Sequence, residues 1–396
     1  MALVELGISL LGFLAHAKTQ RSGFETHVFA RSRVESRKLS STRPQRRTDT
    51  RQVSMRYAVV LSMVVLIVSA VPLLAVAEEA TQVDRVSASI RKAIPLLEKA
   101  AAGSAKERKC FTCHSQAVPV FAMAEVRMRG FEIDDEIFES QLDHTAAHLK
   151  RGLKGYLKGK GQGGRVMTAG YALWTLEAGD RKRDETTAAV VHYLLEFQKD
   201  DQRWHQSSSR PPSSGSDFAN TYLALRALRE FATDEQQTAA DDRIKDVGKW
   251  LLATEAAGTE DRVFRFRALP YVDAGTEELD AARDGLVSLQ QADGGWSQRP
   301  DMKSDAYATG SVLTALLRNG SKSGEAVIQR GVDYLLDTQL EDGSWHVVTR
   351  AKPFQPYFET GFPHEKDQFI STAATGWATI ALALTLPNEK PASLDR

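Results

Sequence analysis

Apolar positions recur every three or four residues along most of the chain after residue 80, and no sustained polar–apolar alternation proposes a strand. That spacing predicts helices over 84–101, 116–129, 134–158, 165–179, 184–198 and 217–231, then over 240–255, 260–270, 277–290, 303–318, 323–339 and 367–385. Taken in order they form six hairpins whose starts lie 37 to 56 residues apart, around the period of a two-helix repeat. The second helices at 217–231, 303–318 and 367–385 are apolar and rich in small residues, as helices buried on every side are. Six pairs suit a closed ring, in which no terminal repeat needs a cap.

The punctuation repeats as well. Gln290-Gln291-Ala292-Asp293-Gly294-Gly295-Trp296 and Gln339-Leu340-Glu341-Asp342-Gly343-Ser344-Trp345 each follow an outer helix. An earlier copy, Gln198-Lys199-Asp200-Asp201-Gln202-Arg203-Trp204, keeps the Gln, Asp and Trp but has no glycine. Gln at a helix end can bond carbonyls left without partners, Asp-Gly supplies the turn, and Trp wedges between neighbouring helices. The fourth pair is the weakest, because 256–262 lack the motif.

These turns resemble the QW repeats of squalene-hopene cyclases and of the wider prenyltransferase and squalene oxidase repeat families. The resemblance covers about residues 80–390 and is strongest in about the last 110. It implies an all-α fold, a single α/α toroid of about six helical hairpins. Activity does not follow from it. Cyclases of that family start their reaction with an Asp-x-Asp-Asp acid motif, and this chain has none, nor an Asp-Asp-x-x-Asp to hold diphosphate through magnesium. Those cyclases also resemble two toroids around a substrate cavity, whereas this chain has length for one, so squalene or hopene cyclisation is not expected. Zinc-dependent protein prenyltransferases share the toroid, but export from the cytosol speaks against that activity.

Export is read from residues 57–77, an uncharged apolar run that follows Arg56 and ends in Ala75-Val76-Ala77. Basic, apolar and small-x-small parts in that order form a secretory signal peptide, with Glu78 as the mature start and the periplasm or cell envelope as destination. Uncleaved, the run would serve as a membrane anchor. Met55 stands directly before Arg56, so residues 1–54, with ten Lys/Arg against four Asp/Glu, read as a disordered basic arm or a stretch upstream of the true start. Without residues 1–77, which hold 11 Lys/Arg and four Asp/Glu, the remaining 78–396 has 40 Lys/Arg against 47 Asp/Glu. This mildly acidic domain has no basic stripe with interleaved aromatics, which argues against nucleic acid as a partner.

Both cysteines of the chain fall in Cys110-Phe111-Thr112-Cys113-His114. C-x-x-C-H is the attachment signature of haem c, in which two thioethers hold the porphyrin and the adjacent imidazole, here His114, ligates iron. The sixth position is open to Met167, Met302, His205 or His364, or stays empty. A sulfur or imidazole there suits electron transfer, and an empty position suits small-ligand sensing or peroxide chemistry. Zinc held by Cys110, Cys113, His114 and a fourth ligand such as His364 competes with that reading, as does a disulfide favoured by export. A thioredoxin-like redox pair would need a βαβ context that the helices deny.

The hairpin phase puts 102–115 on one mouth of the ring with 159–164, 199–216, 256–259, 291–302 and 340–366. The pentapeptide should therefore share that mouth with His205, Asp217, Met302, Asp305, His346, His364 and Asp367. The segment from Lys352 to His364 is long and aromatic, which suits a lid over a flat apolar group or a substrate wall. Asp217 and Asp305 read first as helix N-caps and second as mouth chemistry. Glu359 and Asp367 are candidates for an acid/base pair. His144 and His148, at i and i+4, could grip a metal but lack the Glu of H-E-x-x-H, so solvated or core histidines are the plainer reading. Trp174, Trp250 and Trp377 read as helix packing. Two functions remain: an exported toroid with one covalent haem and a redox partner protein, or an enzyme or binder that takes a small apolar ligand such as a terpenoid or lipid, or else a glycan, into the ring, with structural cysteines.

Overall fold

Local chemistry starts and stops the helices where the periodicity puts them. Asp134, Asp184, Ser216 and Asp305 each accept a hydrogen bond from a backbone N–H in the first turn of the helix that follows. Residues 81–353 and 356–388 are described by the computed structural model, so the arm 1–54 and the apolar run 57–77 lie outside the described residues. Twelve helices of ten residues or more occur among the described residues, and no strand. They are residues 81–107 (α1), Val118–Arg127 (α2), Asp135–Arg151 (α3), Arg165–Ala178 (α4), Glu185–Glu196 (α5) and Asp217–Phe231 (α6). Gln237–Ala253 (α7), Thr259–Ala268 (α8), Thr276–Val287 (α9), Ala306–Arg318 (α10), Ala326–Thr338 (α11) and Gln368–Leu384 (α12) complete the set. Each of the twelve expected segments is a helix, with ends displaced by a few residues. No described helix is long and apolar enough to cross a membrane.

The even-numbered helices make the inner wall. α2 packs on α4, α4 on α6, α6 on α8, α8 on α10, α10 on α12, and α12 returns to α2, which closes the ring. α10 and α12 are buried on nearly every face, whereas the outer α9 buries only Leu286 and α11 four residues. The toroid of six hairpins expected from the repeats is therefore the observed fold.

The repeated turns work as a common joint. Trp204, Trp296 and Trp345 are all fully buried, and each indole N–H donates to the carbonyl ten residues earlier, Leu194, Leu286 and Leu335, at 2.8–3.0 Å. Each of these tryptophans also donates its backbone N–H to a threonine of the next inner helix, Thr221, Thr309 or Thr375. Gln290 bonds the carbonyls of Gly294 and Val327, and Gln339 bonds those of Gly343 and Ser89. The second of these pairs matters most, because Ser89 lies on α1 and the last repeat is thereby tied to the first. Gly294 and Gly343 hold φ at +87° and +92°, and a Cβ on either would stand 2.5 Å from a carbonyl oxygen of the neighbouring helix.

Candidate functional site

All inner helices run the same way, so the loops that enter them gather at one mouth, and contacts between successive loops trace the circle. Ser207 reaches the Gly164 carbonyl, Ser216 the Asp261 carboxylate, Thr259 the Ser297 carbonyl, Arg350 the Gln298 amide and Arg108 the Pro356 carbonyl. The expected shared mouth is observed.

The pentapeptide enters α2 through a π-turn, Cys113–Ala117, in which Ala117 N–H reaches back to the Thr112 carbonyl at 3.2 Å. Gln116, fully buried, accepts from Thr112 N–H and holds that turn. Both thiols are free: Cys110 is exposed, and Cys113 is half-buried against the core to which Met167 belongs. Burial pushes the Cys113 thiol up, and Arg210 opposes that shift. The His114 ring packs on Phe369, centroids 5.1 Å apart, and its Nδ1 pairs with Ser115 Oγ at 2.9 Å. Nε2 has no hydrogen-bond partner among the described residues. Burial first and Arg210 second bring the imidazole down to about 3, which keeps it neutral and its lone pair available at ordinary pH.

Further round the mouth, carboxylates and imidazoles form separate pairs. Asp217 accepts from Arg203 Nε and Gln206 N–H at 2.8 Å each and lies 3.2 Å from His205 Nδ1. It does not cap its helix; Ser216 does, so the capping role expected of Asp217 belongs one residue earlier. Asp305 is a cap, through Ala308 N–H at 2.9 Å, and burial raises its carboxyl to about 6. His346 Nε2 meets Asp367 at 3.0 Å, and its ring stacks on His364, whose Nε2 pairs with Ser344 Oγ at 2.8 Å. His364 also holds φ at +79°, a costly conformation for a residue with a Cβ. Glu359 is bonded by Tyr357 and Gln368 rather than by Asp367. Met302 offers its carbonyl to Gln291. Among the described residues no three His, Cys, Asp or Glu side chains form a group that could hold a metal ion. His364, the fourth ligand suggested for zinc beside Cys110, Cys113 and His114, is engaged with Ser344 and His346 in the last loop. His144 and His148 lie beside the pentapeptide loop, where Phe111 packs at 6.1 Å from His148, and the Nε2 of each histidine is buried without a partner.

The aromatic segment of the last loop is pinned down. Fully buried Gln368 accepts from Thr360 N–H at 2.8 Å and donates to Tyr357 Oη at 2.7 Å, while Arg108 sits 4.5 Å over the Phe358 ring. Phe358 and Phe362 are buried and Tyr357 is exposed, so this stretch is a wall with one aromatic edge to solvent. Phe354 and Gln355 lie outside the described residues.

One group at the mouth escapes any motif. Glu260, the second residue of α8, is half-buried, and Tyr307 donates to its Oε1 at 3.1 Å. Burial, with a smaller push from Asp261, raises its carboxyl to about 8 against the opposing pulls of Tyr307, Arg267 and Arg350. Such a carboxyl holds a proton at neutral pH and can surrender it. Tyr171, Tyr307 and Cys113 act electrostatically on one another there. In the sequence, Thr259-Glu260-Asp261 looks like any acidic first turn, and only the approach of Tyr307 from the next hairpin marks it out.

No family model matches the chain. A stretch of 93 residues, 21% of the chain, is 41% identical to 13% of squalene–hopene cyclase from Bradyrhizobium diazoefficiens. A stretch of 75 residues, 19% of the chain, is 36% identical to 14% of copalyl diphosphate synthase from Streptomyces cyslabdanicus. For copalyl diphosphate synthase from Streptomyces anulatus the figures are 70 residues, 17% of the chain, 39% identity and 12% of the relative. The matches thus span about one eighth of these relatives' length. With the closed helical ring they make the chain terpenoid-cyclase-like in fold and in part of its sequence.

Proposed function

We propose that this chain is an exported toroid whose mouth carries one covalent haem, joined through Cys110 and Cys113 and ligated by His114, and that it transfers electrons or senses a small ligand. The observation that carries this reading is the arrangement at the start of α2. Two free thiols and a neutral imidazole sit in one loop, with Nδ1 occupied by Ser115 and no hydrogen bond to Nε2 among the described residues. That donor set fits the group, since a haem-ligating histidine is oriented by a hydrogen bond at its other nitrogen. A haem bound there would supply a one-electron centre or an iron that binds a small ligand. The chain's own part is to orient His114 through Ser115 and Phe369 and to shield one side with the pinned wall of Phe358 and Phe362. The test is expression from Met55 in a host with haem-maturation machinery. We expect a mass increase of one haem and a Soret band that disappears in Cys113→Ser. A colourless protein with two free thiols would overturn the reading.

Glu260 favours a second reading, an acid/base enzyme acting on an apolar, terpenoid-like ligand at the same mouth. The protonated carboxyl bonded to Tyr307 supports it. Turnover or binding of a polyprenoid that survives in Cys113→Ser and is lost in Glu260→Gln would favour this reading over the first.

A further inference from the structure

The fourth joint, from α7 to α8, stands between two that carry a tryptophan and has none itself. Where the tryptophan is present, its slot has three sides: the carbonyl of a leucine on the outer helix, a threonine on the inner helix and a residue of the next outer helix. For Trp296 these are Leu286, Thr309 and Gly331, where an added Cβ would stand 2.9 Å from the indole. The fourth joint keeps the same three places. Thr221, Thr309 and Thr375 each precede a fully buried leucine, Leu228, Leu316 and Leu382, by seven residues, and the same spacing back from Leu269 falls on Arg262. Gly331 lies four residues before Leu335, and four before Leu286 is Ala282, also small. The Leu251 carbonyl is taken by Arg265 Nε at 2.9 Å instead of by an indole N–H.

A cavity of about 330 Å³ remains there, lined by Arg262, Arg265, Ala282 and Gly285, with exposed Leu252 and Glu255 at its edge. Arg262 reaches the Gly285 carbonyl only at 3.4 Å, and its Nε is buried with no hydrogen-bond partner among the described residues. The face of an aromatic ring accepts such an N–H and the charge behind it. At the third joint the ring of Trp204 already does so, with the Arg243 guanidinium 4.5 Å from its centroid. Glu255 and Glu278 act on Arg265 against the like charge of Arg262, so the notch holds no surplus of positive charge and suits a neutral ring. All six tryptophans of the chain are at most 9% exposed in packing of their own, so an indole for this notch must come from another molecule. The notch adjoins α9, whose only fully covered residue is Leu286. An open helix face beside an apolar rim residue suits a polypeptide segment, which can anchor one side chain and lie along the rest.

We propose that the notch of the fourth joint is a docking site for a partner protein, which inserts a tryptophan side chain where the neighbouring joints hold their own. The site shares no residue with the Cys110–His114 loop and does not depend on what that loop carries. Fluorine NMR titration of the intact chain with the peptide acetyl-leucyl-(5-fluorotryptophyl)-alaninamide tests it, the leucine being there to meet Leu252. The peptide should saturate at one per chain, acetyl-5-fluorotryptophanamide should bind more weakly, and acetyl-leucyl-leucyl-alaninamide should not compete. Ala282→Leu fills the slot and should abolish binding. Ala281→Leu, at an exposed position on the same lining, should weaken it several-fold and keeps the test decisive if Ala282→Leu does not fold. Arg262→Met keeps an apolar stem and removes the guanidinium, so affinity should fall by about three- to tenfold, the loss of a cation–π contact. Absence of saturable peptide binding, competition by the leucyl peptide, or unchanged affinity in folded Ala281→Leu and Ala282→Leu would each overturn the proposal. Equal affinity for the single amino-acid amide would overturn it too, by making the notch a site for a small indole compound.

Discussion

Ring closure can be tested at a single glycine. Gly343 lies in the turn that joins the last repeat to the first, with φ at +92°, and an added Cβ would stand 2.5 Å from the Lys92 carbonyl oxygen of α1. Alanine there incurs two costs. Holding a Cβ at positive φ costs about 1–2 kcal/mol. The clash is with backbone, so the turn must also withdraw from α1, which breaks the 3.0 Å bond from Gln339 to the Ser89 carbonyl at about 1 kcal/mol more. Gly343→Ala should therefore lose about 2–4 kcal/mol in urea unfolding followed by far-ultraviolet circular dichroism. Gly320→Ala isolates the backbone part, because φ there is +100° and nothing lies within 4 Å, and should lose only about 1–2 kcal/mol. Gly324→Ala, in open space without positive φ, should stay within about 0.5 kcal/mol of the parent. Gly294→Ala, the same joint inside the ring, should match Gly343→Ala, since a closed ring has no weak end. If Gly343→Ala behaved like Gly320→Ala while Gly294→Ala was severe, the argument that the last turn closes the ring on α1 would fail.

Other expectations can be checked with the same unfolding assay. Trp296→Phe leaves the Leu286 carbonyl without its indole donor and should cost about 1–3 kcal/mol, whereas a loss under about 0.5 kcal/mol would mean that the bond contributes nothing. Glu260 keeps its proton in the folded state up to about 8, against an ordinary 4.5, so its contribution is full below pH 4.5 and is lost as pH rises towards 8. The urea midpoint of the parent should thus fall relative to that of Glu260→Gln across this window, and parallel profiles would refute the shift. His148 is held down to about 4 by burial, then by Arg151 and His144, so its contribution is present above pH 6.5 and is lost as pH falls from there to about 4. His148→Gln should flatten that part of the acid limb, and an unchanged limb would place the titration elsewhere. Asp305→Ala removes the α10 cap and should cost about 0.5–2 kcal/mol, with no loss expected if the carboxylate served only the mouth.

What the sequence determined by itself was everything that depends on neighbours a few residues away. The twelve helices, the Gln and Trp joints and the place of Cys110–His114 in a mouth loop follow from periodicity, capping and turn chemistry, which are local properties. The ring followed too, because six similar hairpins stack in only one repeating way. Only the tertiary structure decided which polar groups lose water and whom they meet. Tyr307 reaches Glu260 across 47 residues and Arg318 reaches Glu125 across 193, and no spacing in the chain announces either. Asp217 and Asp305 look alike in sequence, each at the start of an inner helix, yet one is held by Arg203 beside His205 and the other caps. Arg267 is one of several arginines at a helix end until four rings close round it. Burial shifts a carboxyl or strands a guanidinium only when separate hairpins come together, so these properties belong to the assembled ring and to no segment of it.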